Sequence, residues 1–161
     1  MILTPMSFGI SQITDHIFLG PYHAAQNLQY RNEYGITHIL NCTPDALEGL
    51  QDIQVRQMNI HDGESIPPDL VRFAVRTIDE VVKDGGKILV HCHAGISRSP
   101  SLVCAYFMYK GHSWDEALAF VRSKRPQVFP HPLIERSVKK TLGQTITPET
   151  TLLGGCQNDA T

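Results

Sequence analysis

The residues best placed to do chemistry together lie in one short stretch, His91-Cys92-His93-Ala94-Gly95-Ile96-Ser97-Arg98-Ser99. Five residues separate Cys92 from Arg98. A loop of that length, entered from a strand and leaving into a helix, can wrap its backbone N–H groups around a tetrahedral anion. Gly95 permits backbone angles, or a close approach, that a side chain would forbid. The helix N-terminus adds a positive dipole end. The same field falls on the Cys92 sulfur. Helix termini and cationic neighbours lower a thiol pKa from about 8.5 to roughly 3.5–7.5, so a thiolate at neutral pH is expected. Arg98 offers a planar fork of donors that matches two phosphate oxygens. A thiolate beneath a caged phosphoryl group can attack in line and form a phosphocysteine. Ser99 can then donate a hydrogen bond to the departing sulfur. The pattern H-C-x2-G-x2-R-[ST] is specific, arising by accident in on the order of one chain in ten thousand of this length.

Breaking a phosphoester leaves an oxygen that needs a proton, and a positioned acid typically contributes about 10²–10⁴ in rate. The loop after residue 60 supplies Asp62, Glu64 and Asp69. Asp62 is the first choice and Glu64 the second, while Asp69 is expected to cap the helix that begins there. A turn-forming Asp-Gly pair is the plainer reading of Asp62. His61, His91 and His93 with Cys92 have zinc-compatible chemistry. A metal on Cys92 would block the nucleophile and leave the Gly95 and Arg98 spacing without a purpose. No metal and no cofactor are therefore expected.

The elements that must hold this loop follow from periodicity. Two short strands are predicted in 10–20 around a turn at Thr14-Asp15, then a helix over 24–34 stopped by Gly35. Strands follow over 37–42 and 55–60, with loop or a short helix over 44–51. Apolar residues at 71, 74, 78, 81 and 82 predict a helix over 69–83, ended by Gly85-Gly86. A buried strand over 87–91 leads into the chemistry-bearing loop and a helix over 99–110. Ser113 and Glu116 form a capping box that places Trp114, Ala117, Leu118 and Val121 on one face. A last helix is predicted over 132–142. The alternation predicts an α/β layer fold with a strand–loop–helix at the chemistry-bearing segment.

A chain of 161 residues and 18.0 kDa, 42% hydrophobic, suits one domain with one core. That domain is expected over 1–143, with a polar tail over 144–161. The net charge of −2 conceals an asymmetry: residues 1–84 carry −6 and residues 85–142 carry +6. The basic second half fits an anion site, whereas the total argues against a nucleic-acid coat. No apolar run reaches the roughly 20 residues of a membrane span, and the N-terminus lacks signal-peptide features. Cys42, Cys92, Cys104 and Cys156 have no short pair spacing and are expected to be thiols in a reducing, cytoplasmic compartment. A monomer is expected.

With these residues in view, the chain resembles the cysteine-dependent protein tyrosine phosphatase superfamily, most closely the small, atypical dual-specificity phosphatases. The resemblance covers about residues 10–142 and includes ITDHIFLG, GITHILNCT, HCHAGISRS and ALAFVRSKRPQVFP. It implies an α/β fold with a central mixed, mostly parallel sheet flanked by helices and a strand–phosphate loop–helix active site. It also implies a metal-independent phosphatase with Cys92 as nucleophile, Arg98 as phosphate clamp, Ser99 as the assisting hydroxyl and His91 tuning the cysteine. Residues 93–97, His93, Ala94, Gly95, Ile96 and Ser97, would supply loop amides for phosphate or a sulfate-like oxyanion. D-G-x-x-x-P-P after Asp62 is similar to the family's general-acid loop. Asn41 matches an asparagine that braces the phosphate loop, and Cys42 a second cysteine that in some relatives forms a disulfide with the nucleophile. A small buried hydrophobe is the plainer role for Cys42. Phosphoinositide phosphatases resembling this chain tend to carry lysines where this one has His93 and Ile96. His131 stands where relatives often carry Pro-Asn, a departure that bears on the packing of the last helix.

Phosphorylated proteins are the expected partners, with phosphotyrosine and also phosphoserine or phosphothreonine admitted by a shallow pocket. One rival is a phosphatase of RNA 5′ ends, phosphoinositides or small phosphometabolites. Others are a phospho-binding module without catalysis and a thiol redox protein using Cys92 with Cys42.

Overall fold

Ile88, Leu89, Val90 and His91 are all buried, with no alternation of apolar and polar residues. A parallel strand covered by helices on both faces has this pattern. The computed structural model describes residues 9–143 and sets this strand at the centre of a five-stranded sheet. In chain order the strands are β1 (Ser11–Gln12), β2 (Ile17–Gly20), β3 (His38–Asn41), β4 (Gln54–Gln57) and β5 (Ile88–His91). Across the sheet the order is β1-β2-β5-β3-β4, and only β1–β2 is antiparallel. This is the mixed, mostly parallel α/β sheet that the sequence leads one to expect.

Successive side chains leave a strand on opposite faces. Ile17, Leu19, Leu40, Ile88 and Val90 enter the larger core, with α2 (Pro68–Lys83), α3 (Arg98–Tyr109), α4 (Trp114–Lys124) and α5 (Pro132–Val138). Phe18, Ile39 and Leu89 enter a smaller core with α1 (Tyr22–Asn27). Val71, Ala74, Val75, Ile78 and Val81 give α2 its buried stripe. Helix α3 is buried over most of its length and packs against α2, α4 and α5. The capping box of α4 forms: Ser113 Oγ accepts from the Glu116 N–H at 3.0 Å, and Glu116 Oε1 accepts from the Ser113 N–H at 3.0 Å.

Several boundaries differ from expectation for identifiable reasons. Helix α1 ends at Asn27 rather than 34. The N–H groups of Leu28, Gln29 and Tyr30 each bond three residues back, which tightens the turn. Asn32 then clamps Ile36, accepting its N–H at 2.8 Å and donating to its carbonyl at 2.9 Å. Asparagine competes with the helix in this way. Strand β4 stops at Gln57 because its only partner among the described residues, β3, ends opposite it at Asn41. Met58 and Ile60 continue into the core outside the ladder. Asp69 does not cap α2, which begins at Pro68 without a side-chain cap; it lies in the first turn, facing the positive end of the dipole. Past Val138 the last helix widens into a π-turn over Lys139–Gly143. The expected tail over 144–161, with Cys156, lies outside the described residues. Among the described residues no helix is long and apolar enough to cross a membrane.

The register prepares the site. Gly20, His91 and Asn41 lie side by side at the carboxyl ends of β2, β5 and β3. Parallel sheets bind ligands at that edge, and Cys92 is the next residue. Leu89 is fully buried at the sheet centre. Leu89→Ala is expected to cost about 2–5 kcal/mol, read as a lower urea midpoint with an unchanged m-value.

Candidate active site

Strand β5 delivers Cys92 to the sheet edge, and α3 begins six residues later at Arg98. Four successive loop carbonyls are bound from outside. His93 O accepts from the Tyr22 N–H at 2.9 Å, and Ile96 O from the Phe129 N–H at 2.8 Å. Arg125 takes the two between, donating from Nη2 to Ala94 O at 3.2 Å and from Nε to Gly95 O at 2.8 Å. Every peptide bond among the described residues is trans, so each N–H points opposite to the carbonyl that precedes it. The N–H groups of Ala94, Gly95, Ile96 and Ser97 therefore turn toward the cleft. Gly95 is obligatory: its φ is +70°, and a Cβ would lie 2.8 Å from the Gly20 carbonyl and 2.7 Å from Arg125 Nη2. Ser97 does not cap α3, which leaves the first-turn donors for an anion.

The cleft has a volume of about 390 Å³ and is lined by Asp62, Cys92, Arg98 and the phosphate loop, with Phe129, His131 and Pro132 at its rim. Cys92 is buried, and its Sγ lies 3.2 Å from Ser99 Oγ. Arg98 anchors one arm by donating from Nη1 to Ile60 O at 2.9 Å. Its Nε is buried with no hydrogen-bond partner among the described residues, and the Asp62 carboxylate stands 4.0 Å from it. A buried guanidinium with unspent donors at the floor of an amide ring is built to receive an oxyanion.

The family comparison agrees with this geometry. A family model described as dual specificity phosphatase, catalytic domain, matches residues 17–140.

The chain belongs to this family.

Dual specificity protein phosphatase 22-A of Danio rerio is 34% identical over 128 residues, which cover 78% of this chain and 62% of that protein. Protein-tyrosine-phosphatase MKP1 of Arabidopsis thaliana is 36% identical over 121 residues, 71% of this chain and 15% of that protein. The chain thus spans less than two thirds of the length of these curated relatives. The crystal structure of DUSP15 matches with a TM-score of 0.80 and 26% identity, over 91% of this chain and 95% of that one.

The structure sorts the remaining site residues of this dual specificity phosphatase domain. Asp62 lines the cleft and Glu64 and Asp69 do not. His91 is fully buried, and its Nδ1–H donates to the Cys92 carbonyl at 3.2 Å. Burial pulls its pKa down to about 4, and Arg98 adds to the effect. The ring is neutral at pH 7 and meets Cys92 at that residue's backbone carbonyl. Asn41 does not brace the phosphate loop: it donates to Asp45 O at 2.8 Å and accepts from Thr43 N–H at 2.9 Å. Its short side chain is spent on the turn that follows β3. Cys42 follows β3 as Cys92 follows β5, and its N–H donates to His91 O at 2.9 Å. Burial, reinforced by Cys92 and opposed by Arg98, pushes the Cys42 thiol well up. Cys104 is a core residue whose thiol burial pushes to about 12. Among the described residues no three His, Cys, Asp or Glu side chains gather as a metal site.

Sequence reasoning gave Arg125 no role of its own, and it missed the rim residues Phe129 and His131 as parts of the site. Arg125 is 3% exposed and also binds Gly9 O at 2.6 Å and Ser11 Oγ at 2.9 Å. Burial lowers its pKa, and the Cys92 sulfur works against that shift.

Two outcomes follow from this arrangement. Arg125→Ala is expected to weaken inorganic phosphate binding at least about tenfold, because charged hydrogen bonds contribute about 1.5–3 kcal/mol each. An equilibrium titration giving the wild-type constant in a folded variant would show that the loop needs no outside anchor. The second concerns His91, whose folded pKa of about 4 lies below an unfolded value of about 6.5. Between those values the unfolded chain binds the proton that the folded one refuses, so stability falls as pH drops through this window. The effect at pH 5 is about 2 kcal/mol. In urea melts at pH 7 and pH 5, His91→Asn should decline less steeply than wild type, and an equal decline would place the sensitivity elsewhere.

Proposed function

We propose that this chain is a metal-independent phosphatase that hydrolyses phosphotyrosine, and phosphoserine or phosphothreonine, in proteins through a phosphocysteine intermediate. The observation that carries the reading is the convergence of Cys92, Arg98 and Asp62 on one cleft, with Ser99 Oγ behind the Cys92 sulfur. The phosphoryl oxygens sit among the inward N–H groups and the Arg98 fork. Cys92 Sγ attacks phosphorus, the S–P bond forms and the ester P–O bond breaks. Asp62, as the protonated acid, gives its proton to the leaving oxygen. Its carboxylate then takes a proton from water, whose oxygen attacks phosphorus as the S–P bond breaks. Ser99 Oγ, 3.2 Å from Sγ, donates to the departing sulfur.

The broad cleft supports the substrate range. Its mouth is apolar at Ile96, Phe129 and Pro132, and Phe129 is 70% exposed. Residues 1–143 are taken as the catalytic unit, working as a monomer in the cytoplasm. The protection of the Cys42 thiol favours a buried packing role over regular disulfide exchange with Cys92.

Aryl phosphate hydrolysis measured across pH with EDTA present tests the mechanism. Cys92→Ser is expected to abolish turnover and keep oxyanion binding; retained turnover would overturn the nucleophile. Asp62→Asn is expected to slow turnover by about 10²–10⁴ at neutral pH, and a larger loss in Glu64→Gln would reassign the acid. Phosphopeptides turned over well ahead of phosphoinositides and RNA 5′ ends would support the protein substrate.

A further inference from the structure

We infer that His131 is a positioning residue, whose imidazole holds the Asp62 turn in place over Cys92. The inference rests on the reading of Asp62 as general acid and adds what sets that acid's geometry.

Asp62 has little of its own to hold it. Its side chain is 64% exposed, and its nearest cation, Arg98 Nε, stands 4.0 Å away, beyond hydrogen-bond length. Within the turn, the Glu64 N–H reaches His61 O only at 3.4 Å. A general acid must stay within hydrogen-bond reach of the oxygen it protonates, so something else must support the turn.

Helix α5 provides that support at two points. Ser137 Oγ accepts from the Ile66 N–H at 2.8 Å and fixes the end of the turn. His131, which caps the helix, stands beside its start: a Cβ built at Gly63 would meet His131 Nε2 at 3.7 Å and Cδ2 at 3.8 Å, and Asp62 and His131 line the same cleft. The positive φ of Gly63, +79°, shapes the turn beside the ring. The ring's orientation is fixed from behind, because Nδ1 accepts from the Leu133 N–H at 3.1 Å. That bond leaves the proton of the neutral ring on Nε2, on the side facing the turn.

The same segment is tied to the phosphate loop. The His131 N–H donates to Ser97 Oγ at 2.9 Å, and the Phe129 N–H to Ile96 O at 2.8 Å. His131 therefore links the loop that binds the phosphoryl group to the turn that carries the acid. Misplacing a reacting group by about 1 Å can cost about 10²-fold in rate, so this link acts on the chemical step.

His131→Asn isolates the ring, because asparagine keeps an N-cap acceptor for α5. The variants His131→Asn, Asp62→Asn and the double substitution are compared with wild type on phenyl phosphate and dinitrophenyl phosphate. Phenolate needs a proton to leave; dinitrophenolate leaves without one. His131→Asn is expected to lower kcat on phenyl phosphate at least about tenfold, and to lower kcat on dinitrophenyl phosphate far less. In the Asp62→Asn background it should add no further loss. Equal losses on both substrates, additive losses, or wild-type kcat on phenyl phosphate would overturn the assignment. Asp62→Asn alone reports on the acid reading: wild-type turnover of phenyl phosphate in that variant would remove the acid, and this inference with it.

Discussion

Four carbonyl oxygens of the phosphate loop are bound from behind, and the site depends on that constraint. A free loop of this length would satisfy its own amides with water or local turns. Here Tyr22, Arg125 and Phe129 hold the carbonyls of His93, Ala94, Gly95 and Ile96 outward, so the amides have only the cleft to face. Arg125 is central because one rigid fork spans two adjacent carbonyls and reaches the Gly9 and Ser11 segment as well. A lysine could not match that geometry, since its ammonium is a single point of charge. Gly95 completes the constraint, because a side chain there would displace both Arg125 and Gly20.

The rest of the fold can be understood as delivery to this ring. The parallel register aligns the ends of β2, β5 and β3, which sets the Gly20 carbonyl against the loop. The buried helix α3 is packed on several sides, so its uncapped N-terminus keeps a fixed direction. Helix α5 meets the segment after Asp62 at Ser137, while His131 at its start binds the phosphate loop. The loop and the Asp62 turn are thus joined through one helix.

Much of this was legible in the chain. The helical stripe of α2, the Ser113–Glu116 box, the buried strand β5 and the HCxxGxxRS pattern are local signals, and each appears where expected. Boundaries failed where a competing local bond intervened, as with Asn32 closing on Ile36. They also failed where pairing depended on a partner's length, as with β4. Asn41 illustrates a different limit. Its type fits either a brace for the phosphate loop or a turn former, and only the observed partners, Thr43 and Asp45, decide. Arg125 and His131 were missed because their partners lie about thirty or more residues away, and no short motif records such a meeting.

By itself, the sequence determined the chemical vocabulary and the local elements: a thiol, a guanidinium and a hydroxyl at the spacing of a strand–loop–helix, and the periodicities that make that strand and helix. These are properties of neighbours in the chain, set by backbone sterics and by the spacing of apolar side chains. The tertiary structure decided which carboxylate shares the cleft with the sulfur, which cation binds the loop carbonyls and which residues close the rim. Those are meetings between distant segments, and they become defined only when sheet register and helix packing bring the segments within a few ångströms of one another.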